Sequence, residues 1–154
     1  MIDLNISTTI GAPIKRVFDF MSTPENDVQW QHGTLAAATI LNRDSERGVF
    51  FRSIGHLMGH RNLGTYEVIE SRSNLKYRFK SISGPLYSQT TYTFKTAGDG
   101  TRVNISMRVG AVKFLQKLLH TKEQVLGRRM KRELKENLTA LKSLLEGRHI
   151  LQSV

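Results

Sequence analysis

The sequence contains no cysteine, only three prolines and no long apolar run, and these absences exclude several classes of protein. Without cysteine the chain forms no disulfide, zinc–thiolate site or iron–sulfur cluster, and it has no cysteine nucleophile. No apolar stretch approaches the roughly 20 residues that a membrane-spanning helix requires. The first residues, Met1 to Ser7, carry neither the basic nor the apolar segment of a secretory signal. We therefore expect a cytosolic protein.

The length and composition predict a single domain over residues 1–154. Hydrophobic residues make up 39% of the chain and charged residues 23%, as is usual for a folded soluble protein. No internal repeat, low-complexity tract or Pro/Gly/Ser-rich linker divides the sequence. A domain of this size typically buries about two-thirds of its unfolded surface, which is enough for a core and a cavity.

Acidic residues are scarce, and the resulting positive charge is concentrated at one end of the chain. The sequence has 23 Lys and Arg against 13 Asp and Glu, and its formal net charge is +10. Residues 111–154 contain ten of the basic residues and four glutamates. A solvated helix face explains this run, and docking on an anionic membrane is an alternative. Nucleic acid is disfavoured as a partner because no aromatic residues for base stacking accompany the basic run from Arg128 to Lys135.

Apolar residues in the first thirty positions change from a period of two to a helical period. Residues 3–10 alternate and predict a strand, which Gly11-Ala12-Pro13 ends. Residues 14–21 carry apolar side chains at helical spacing and predict a short amphipathic helix. A second turn-and-cap sequence follows at residues 22–26 and leads to Trp30, the only tryptophan.

The middle of the chain consists of short alternating segments separated by turn residues, which predicts consecutive antiparallel strands. The predicted turns between the first of these strands cover residues 43–48 and 58–62, and Gly98-Asp-Gly predicts a later hairpin. The predicted strands cover residues 34–42, 49–57, 63–70, 75–79, 88–94 and 103–109.

The last part of the chain predicts one long amphipathic helix from about Thr121 to Glu146, ended by Gly147. Its apolar stripe steps mostly by four residues, and Gly127 lies inside it, where glycine is unfavourable in a helix by about 1 kcal/mol relative to alanine. Strands grouped apart from helices indicate an α+β fold. A sheet of about six to seven strands curled around this helix, with two short helices at one end, leaves space between helix and sheet.

Several of these segments resemble the START-related (SRPBCC) superfamily, which includes the birch-pollen-allergen-like and polyketide cyclase/lipid-transport families. The resemblance rests on I-x-A-P-I-x-x-V-F-x-F-M-x-T-P-E-N-x-x-x-W from Ile10 to Trp30, on Tyr66-Glu-Val-Ile-Glu, and on Leu138-x-x-Leu-Lys-x-x-Leu-Glu. It implies a helix-grip fold with a hydrophobic cavity between the curved sheet and the last helix. It also implies binding of a lipid, sterol or polyketide-like molecule, with polyketide cyclase or dehydratase activity through cavity Tyr and Arg residues as the alternative.

Eleven residues are our candidates for contact with a ligand, although plain core packing explains most of them equally well. Tyrosines favour a wet cavity because a buried hydroxyl needs a partner. Trp30 is either a packing anchor or a residue of the cavity rim, and Arg52 orients an anionic ligand only if it points inward. The candidates are Trp30, Arg52, Tyr66, Tyr77, Phe79, Tyr92, Phe94, Met107, Leu126, Met130 and Leu134.

No motif identifies a catalytic residue, a metal site or a cofactor. His56 and His60 are four residues apart, but the segment predicts a strand and a turn, so that the spacing does not bring both rings to one metal ion. There is no G-x-S-x-G nucleophile motif and no glycine-rich phosphate loop. We expect no metal and no cofactor, and the sequence leaves open whether the protein is a monomer or a homodimer.

Overall fold

The chain was analysed in a computed structural model that describes residues 1–40, 48–57, 60–84, 86–110, 117 and 122–147. Within these ranges three helices and a single 3-10 turn (Pro24–Asn26) accompany seven strands. The helices are α1 (Ile14–Met21), α2 (Asp27–Trp30) and α3 (Glu123–Leu145). The strands are β1 (Ile2–Ile10), β2 (Thr34–Ile40), β3 (Val49–Leu57), β4 (His60–Arg72), β5 (Lys76–Ser83), β6 (Ser88–Ala97) and β7 (Gly100–Val109).

All seven described strands form one antiparallel sheet in the order β1-β7-β6-β5-β4-β3-β2. Strands β2 to β7 pair with their neighbours in sequence, and β1 joins the sheet beside β7. The sheet is curved and open, with the short helices after β1 and the long helix at the C-terminal end. The α+β class expected from the order of elements and the helix-grip fold implied by the resemblance are therefore confirmed.

Several predicted boundaries differ from the structure, and others lie outside the described residues. The predicted turn at residues 58–62 is too long, because β4 begins at His60 and pairs with Leu57 at the end of β3. The pairing of β3 with β4 continues there through the polar residues His60, Arg61 and Asn62. Polar residues are compatible with the exposed end of a hairpin. Residues 41–47, which include most of the predicted first turn, and Thr121 are outside the described part of the chain.

Helix α3 buries its apolar stripe against the concave face of the sheet. Gly147 follows the helix with φ +76°, a left-handed conformation that glycine adopts readily and that ends the helix as expected. A methyl group at Gly127 would lie 3.7 Å from Ile2 Cγ2, which is an ordinary contact, so this glycine is not required by close packing. No described helix is both long and apolar enough to cross a membrane. The buried stripe consists of Leu126, Met130, Leu134, Leu138, Leu141 and Leu145.

Polar contacts hold α3 at its end and near its middle. The Glu146 carboxylate accepts a hydrogen bond of 2.8 Å from the backbone N–H of Gly11, and Lys142 Nζ donates to the Thr9 carbonyl at 2.6 Å. Nearer the middle, Asn137 Oδ1 accepts a hydrogen bond of 3.0 Å from the N–H of His32, just after α2. These contacts hold α3 against the β1–α1 corner and against the segment that follows α2.

Candidate functional site

Two adjoining chambers lie between α3 and the concave face of the sheet. The outer chamber has a volume of about 190 Å³ and the inner chamber a volume of about 130 Å³. Both chambers are lined by Gln31, Ser53, Tyr66, Met107, Leu134 and Asn137. The outer chamber adds Gly33, Thr34, Gly55, His56, Asn62, Met130 and Glu133. The inner chamber adds Asp27, Trp30, Phe51, Phe79, Ser88, Thr90, Tyr92 and Ile105.

The rim of the outer chamber depends on a close approach of two backbone segments. The His56 N–H donates a 2.6 Å hydrogen bond to the Gly33 carbonyl, which joins β3 to the turn before β2. A Cβ atom at Gly55 would collide with that same carbonyl oxygen. Glycine is therefore required at position 55.

Aromatic rings from four strands and α2 form one wall of the inner chamber. Phe51 stacks on Tyr66 with ring centroids 5.1 Å apart, and Phe79 meets Tyr92 edge to face at 5.6 Å. Trp30 lies edge to face with Tyr92 at 6.2 Å. Offset and edge-to-face pairs stabilise one arrangement of the rings, so this wall is well ordered before any ligand binds.

Asp27 is the buried acid of the inner chamber, with only 7% of its surface exposed. The preceding turn is held on β2 by Glu25, whose carboxylate accepts hydrogen bonds from the Thr39 N–H at 2.5 Å and the Thr39 hydroxyl at 3.1 Å. Burial, reinforced by the charge of Glu25 and opposed by the Trp30 indole N–H, raises the pKa of Asp27 to about 8. The carboxyl group is therefore mainly protonated at neutral pH.

Two phenols and one further carboxyl group of the cavity are also shifted towards their neutral forms. Burial, with a further contribution from Asp27, raises the pKa values of the Tyr66 and Tyr92 phenols above the usual range. In the outer chamber, burial and the neighbouring Glu136 raise the pKa of Glu133. The tyrosines are thus hydroxyl groups that can donate hydrogen bonds, not phenolate bases.

Three buried polar atoms among the described residues have no hydrogen-bond partner in the protein. They are Trp30 Nε1 and Thr90 Oγ1 in the inner chamber and Asn62 Oδ1 in the outer chamber. The indole N–H lies near the Asp27 carboxyl group without completing a hydrogen bond to it. An unpaired buried polar group typically costs about 1–3 kcal/mol, which a polar ligand atom could recover.

The structure brings seven of the eleven candidate residues to the cavity wall. Three others are buried behind it: Tyr77 stacks against Tyr92 at 5.9 Å, Phe94 packs on Phe18 at 5.2 Å, and Leu126 lies in the core. Their packing role matches the core alternative. The seven residues at the wall are Trp30, Tyr66, Phe79, Tyr92, Met107, Met130 and Leu134.

Arg52 is the exception, because the inward position considered for it is wrong. Its neighbours Phe51 and Ser53 line the cavity, so alternation along β3 places Arg52 on the outer face, where it is exposed. It cannot orient a ligand inside the cavity.

Sequence reasoning missed Asp27, Gln31, Ser53 and Asn137 as site residues. One signal was available for Asp27. It precedes Trp30 by three residues, and residues three apart share one face of a helix. The single tryptophan therefore indicated which acid could be buried with it.

Comparison with known proteins identifies both a family and a set of similar folds. The family described as "Polyketide cyclase / dehydrase and lipid transport" matches residues 1–146. A START superfamily protein from Mycobacterium smegmatis is similar with a TM-score of 0.69 at 17% identity, over 96% of this chain and 97% of that one. No curated protein sequence matches the chain.

Two further solved structures connect the fold to the groups expected from the sequence. StfQ, a di-domain ARO/CYC from the steffimycin biosynthetic pathway, gives a TM-score of 0.68 at 17% identity, over 94% of this chain and 45% of StfQ. Ara h 8.0201 gives a TM-score of 0.67 at 9% identity, over 93% of this chain and 96% of that one. The TM-scores of these structures show a common fold. Together with the family match, they confirm the resemblance to the START-related superfamily.

We expect substitution of Asp27 by asparagine to change the pH dependence of stability. Between about pH 4 and about pH 8 the folded chain retains a proton that the unfolded chain has released, so stability falls as pH rises, by up to about 1.4 kcal/mol per pH unit. Asp27→Asn has no such proton. The variant should therefore become more stable relative to the natural protein as pH rises through this window, measured as thermal unfolding midpoints.

The matched control for this experiment is Asp19→Asn, because Asp19 lies at the surface of α1. This control should follow the natural protein across the pH range. Parallel curves for Asp27→Asn and the natural protein would contradict a buried protonated acid at position 27.

Proposed function

The chain belongs to the polyketide cyclase/dehydrase and lipid transport family, and from that membership we propose that it binds a small hydrophobic or amphipathic ligand between the sheet and α3. The observation that carries the proposal is the pair of adjoining chambers, which combine an aromatic wall with unpartnered polar atoms. Pockets of this composition are typical of small-molecule sites. The ligand class is a lipid, a sterol or a polyketide-like molecule.

The lining of the chambers supports a ligand with an apolar body and a polar end. Met107, Met130 and Leu134 line the outer chamber, and thioether side chains adapt to apolar ligands of different shapes. The polar atoms without partners are divided between the two chambers. A purely hydrocarbon ligand would leave these atoms unsatisfied, whereas an amphipathic one could pair with them.

A second candidate function is catalysis of the polyketide cyclase or dehydratase type, and Asp27 is the observation that favours it. A general acid or base is most effective when its pKa lies near the working pH, and the pKa of Asp27, raised by burial to about 8, meets that condition. Asp27 would move a proton to or from the carbon beside a ligand carbonyl. The Tyr66 and Tyr92 hydroxyls would stabilise the enolate oxygen that forms. Arg52 has no part in this mechanism.

The outer surface of α3 provides a further proposed interaction, with an anionic membrane. Five basic side chains on the helix are exposed to solvent, and they are close in sequence to Met130 and Glu133, which line the outer chamber. Basic surfaces of this kind bind anionic lipids, which are concentrated in the cytoplasmic leaflet, so this part of the proposal also locates the protein in the cytoplasm. The five residues are Arg128, Arg129, Lys131, Arg132 and Lys135.

We expect Ser53→Phe to block ligand binding by filling the cavity. Ser53 is half-buried and lines both chambers, so that a phenyl ring there would occupy the space of the ligand. Ligands found by thermal-shift screening of lipids, sterols and polyketide-like compounds should bind at least about tenfold more weakly, as measured by calorimetry. The control is Arg52→Ala, the neighbouring residue on the outer face. Unchanged affinity in Ser53→Phe would locate the ligand elsewhere.

Asp27→Asn distinguishes catalysis from binding alone. If the protein cyclises poly-β-ketone substrates, removing the acid should lower the rate by about 100-fold or more, because the amide cannot transfer a proton. Ligand affinity should change much less. Product formation is followed by chromatography, with Asp19→Asn as the control. Equal rates for Asp27→Asn and the natural protein would exclude Asp27 as the acid or base.

Binding to anionic vesicles should depend on salt if α3 docks on a membrane. We expect the protein to sediment with vesicles containing phosphatidylserine at low ionic strength and to be released when salt screens the charges. Vesicles of phosphatidylcholine alone are the control. The docking proposal fails if the protein stays in the supernatant with anionic vesicles at low salt.

A further inference from the structure

The innermost part of the cavity contains two polar atoms without a hydrogen-bond partner in the described part of the protein, together with one buried acid. Trp30 and Thr90 are each only 2% exposed, and their Nε1 and Oγ1 atoms have no partner among the described residues. Asp27, 7% exposed, lines the same inner chamber. All three residues line this chamber of about 130 Å³, whose wall also includes the aromatic rings of Phe51, Tyr66, Phe79 and Tyr92.

The chemistry of these groups indicates what the ligand must present to them. An indole N–H is only a donor, so it needs an acceptor on the ligand. A threonine hydroxyl and a protonated carboxyl group each donate and accept. A carbonyl or hydroxyl oxygen satisfies this set. An ammonium group does not, because it has no acceptor for the Trp30 N–H.

The charges around the cavity argue against an anionic ligand group. No Lys or Arg of the described residues lines either chamber, whereas Asp27 and Glu133 both do. Glu25 adds a further negative charge near Asp27. Arg52 is on the opposite face of the sheet. A carboxylate in the inner chamber would lose its hydration without gaining a counter-ion, which is strongly unfavourable.

We propose, on the basis of the ligand-binding function proposed above, that the inner chamber selects ligands by an uncharged oxygen function, a carbonyl or hydroxyl, inserted between Trp30, Thr90 and Asp27. Carboxylates and amines of the same shape are rejected. The apolar body of the ligand extends towards Met130 and Leu134 in the outer chamber. Free fatty acids are therefore excluded as ligands in this orientation, and neutral ketones, phenols and alcohols are favoured.

A set of four aromatic compounds of similar shape tests this selectivity. The probes are methyl naphthyl ketone, naphthoate, naphthylmethylammonium and ethylnaphthalene, titrated calorimetrically at neutral pH. We expect the ketone to bind at least about tenfold more tightly than each of the other three. Naphthoate or the ammonium compound binding as tightly as the ketone would overturn the selectivity and leave the binding function intact. If none of the four binds, the binding function fails together with the selectivity.

Substitutions separate the polar contacts from the shape of the chamber. Thr90→Val is nearly isosteric, and Trp30→Phe keeps an aromatic ring. Each should therefore reduce the preference for the ketone over ethylnaphthalene severalfold without weakening the binding of ethylnaphthalene. Arg52→Ala is the control on the outer face. An unchanged preference in both Thr90→Val and Trp30→Phe would overturn the assignment, and retained ethylnaphthalene binding shows that each variant is folded.

Discussion

The fold and its cavity both depend on one contact, in which the apolar stripe of α3 packs against the concave face of the sheet. The stripe has a continuous series of buried Leu and Met side chains, and the hydrogen bonds of Glu146 and Lys142 to the β1–α1 corner hold its C-terminal end. The curved sheet and the helix remain in close contact at that end. Towards Met130 and Leu134 the two chambers separate the helix from the sheet. The cavity therefore lies where the curved sheet and the helix are not in direct contact.

The second determinant is the burial of an acid without a cation beside it. Asp27 lies in the inner chamber because the turn from Thr23 to Asn26 is tied to β2 through Glu25 and to α1 through the Asn26 amide, which donates to the Phe20 carbonyl. Burial keeps its carboxyl group and the neighbouring phenols uncharged, with pKa values above their usual range. The result is an uncharged, hydrogen-bonding surface inside an aromatic wall. Binding and proton transfer would both use this surface, so the same residues serve either proposed function.

The alternation of apolar and polar residues predicted the strands of the sheet well. It failed where a bulge interrupts a strand, and where the sequence leaves open which residues of a strand face the cavity. Glu70 has the parity of Tyr66 and Val68, yet the register shifts between Val68 and Glu70, and Ile69 is the extra residue. Glu70 therefore points outward and meets cations of β4 and β5. In β3 the adjacent Phe50 and Phe51 left the phase open, and only the pairing with β4 showed that Arg52 faces solvent. The position of a bulge and the face on which a residue lies both depend on pairing with the partner strand. The local sequence of one strand does not contain that information.

Sequence alone was enough to predict the order of elements, the antiparallel character of the strands, the long helix with its end at Gly147, and the superfamily, because each depends on local periodicity, turn chemistry or a contiguous motif. It also indicated seven of the residues that line the cavity, since their side chains lie on apolar faces. The burial of Asp27 with Trp30 and Thr90 became evident only in the tertiary structure, as did the position of Arg52 on the outer face of the sheet. The physical reason is that burial and the electrostatic environment of a side chain are set by residues distant in sequence. Thr90 and Asp27 are 63 positions apart, and their proximity in one chamber exists only after the sheet and helix have packed.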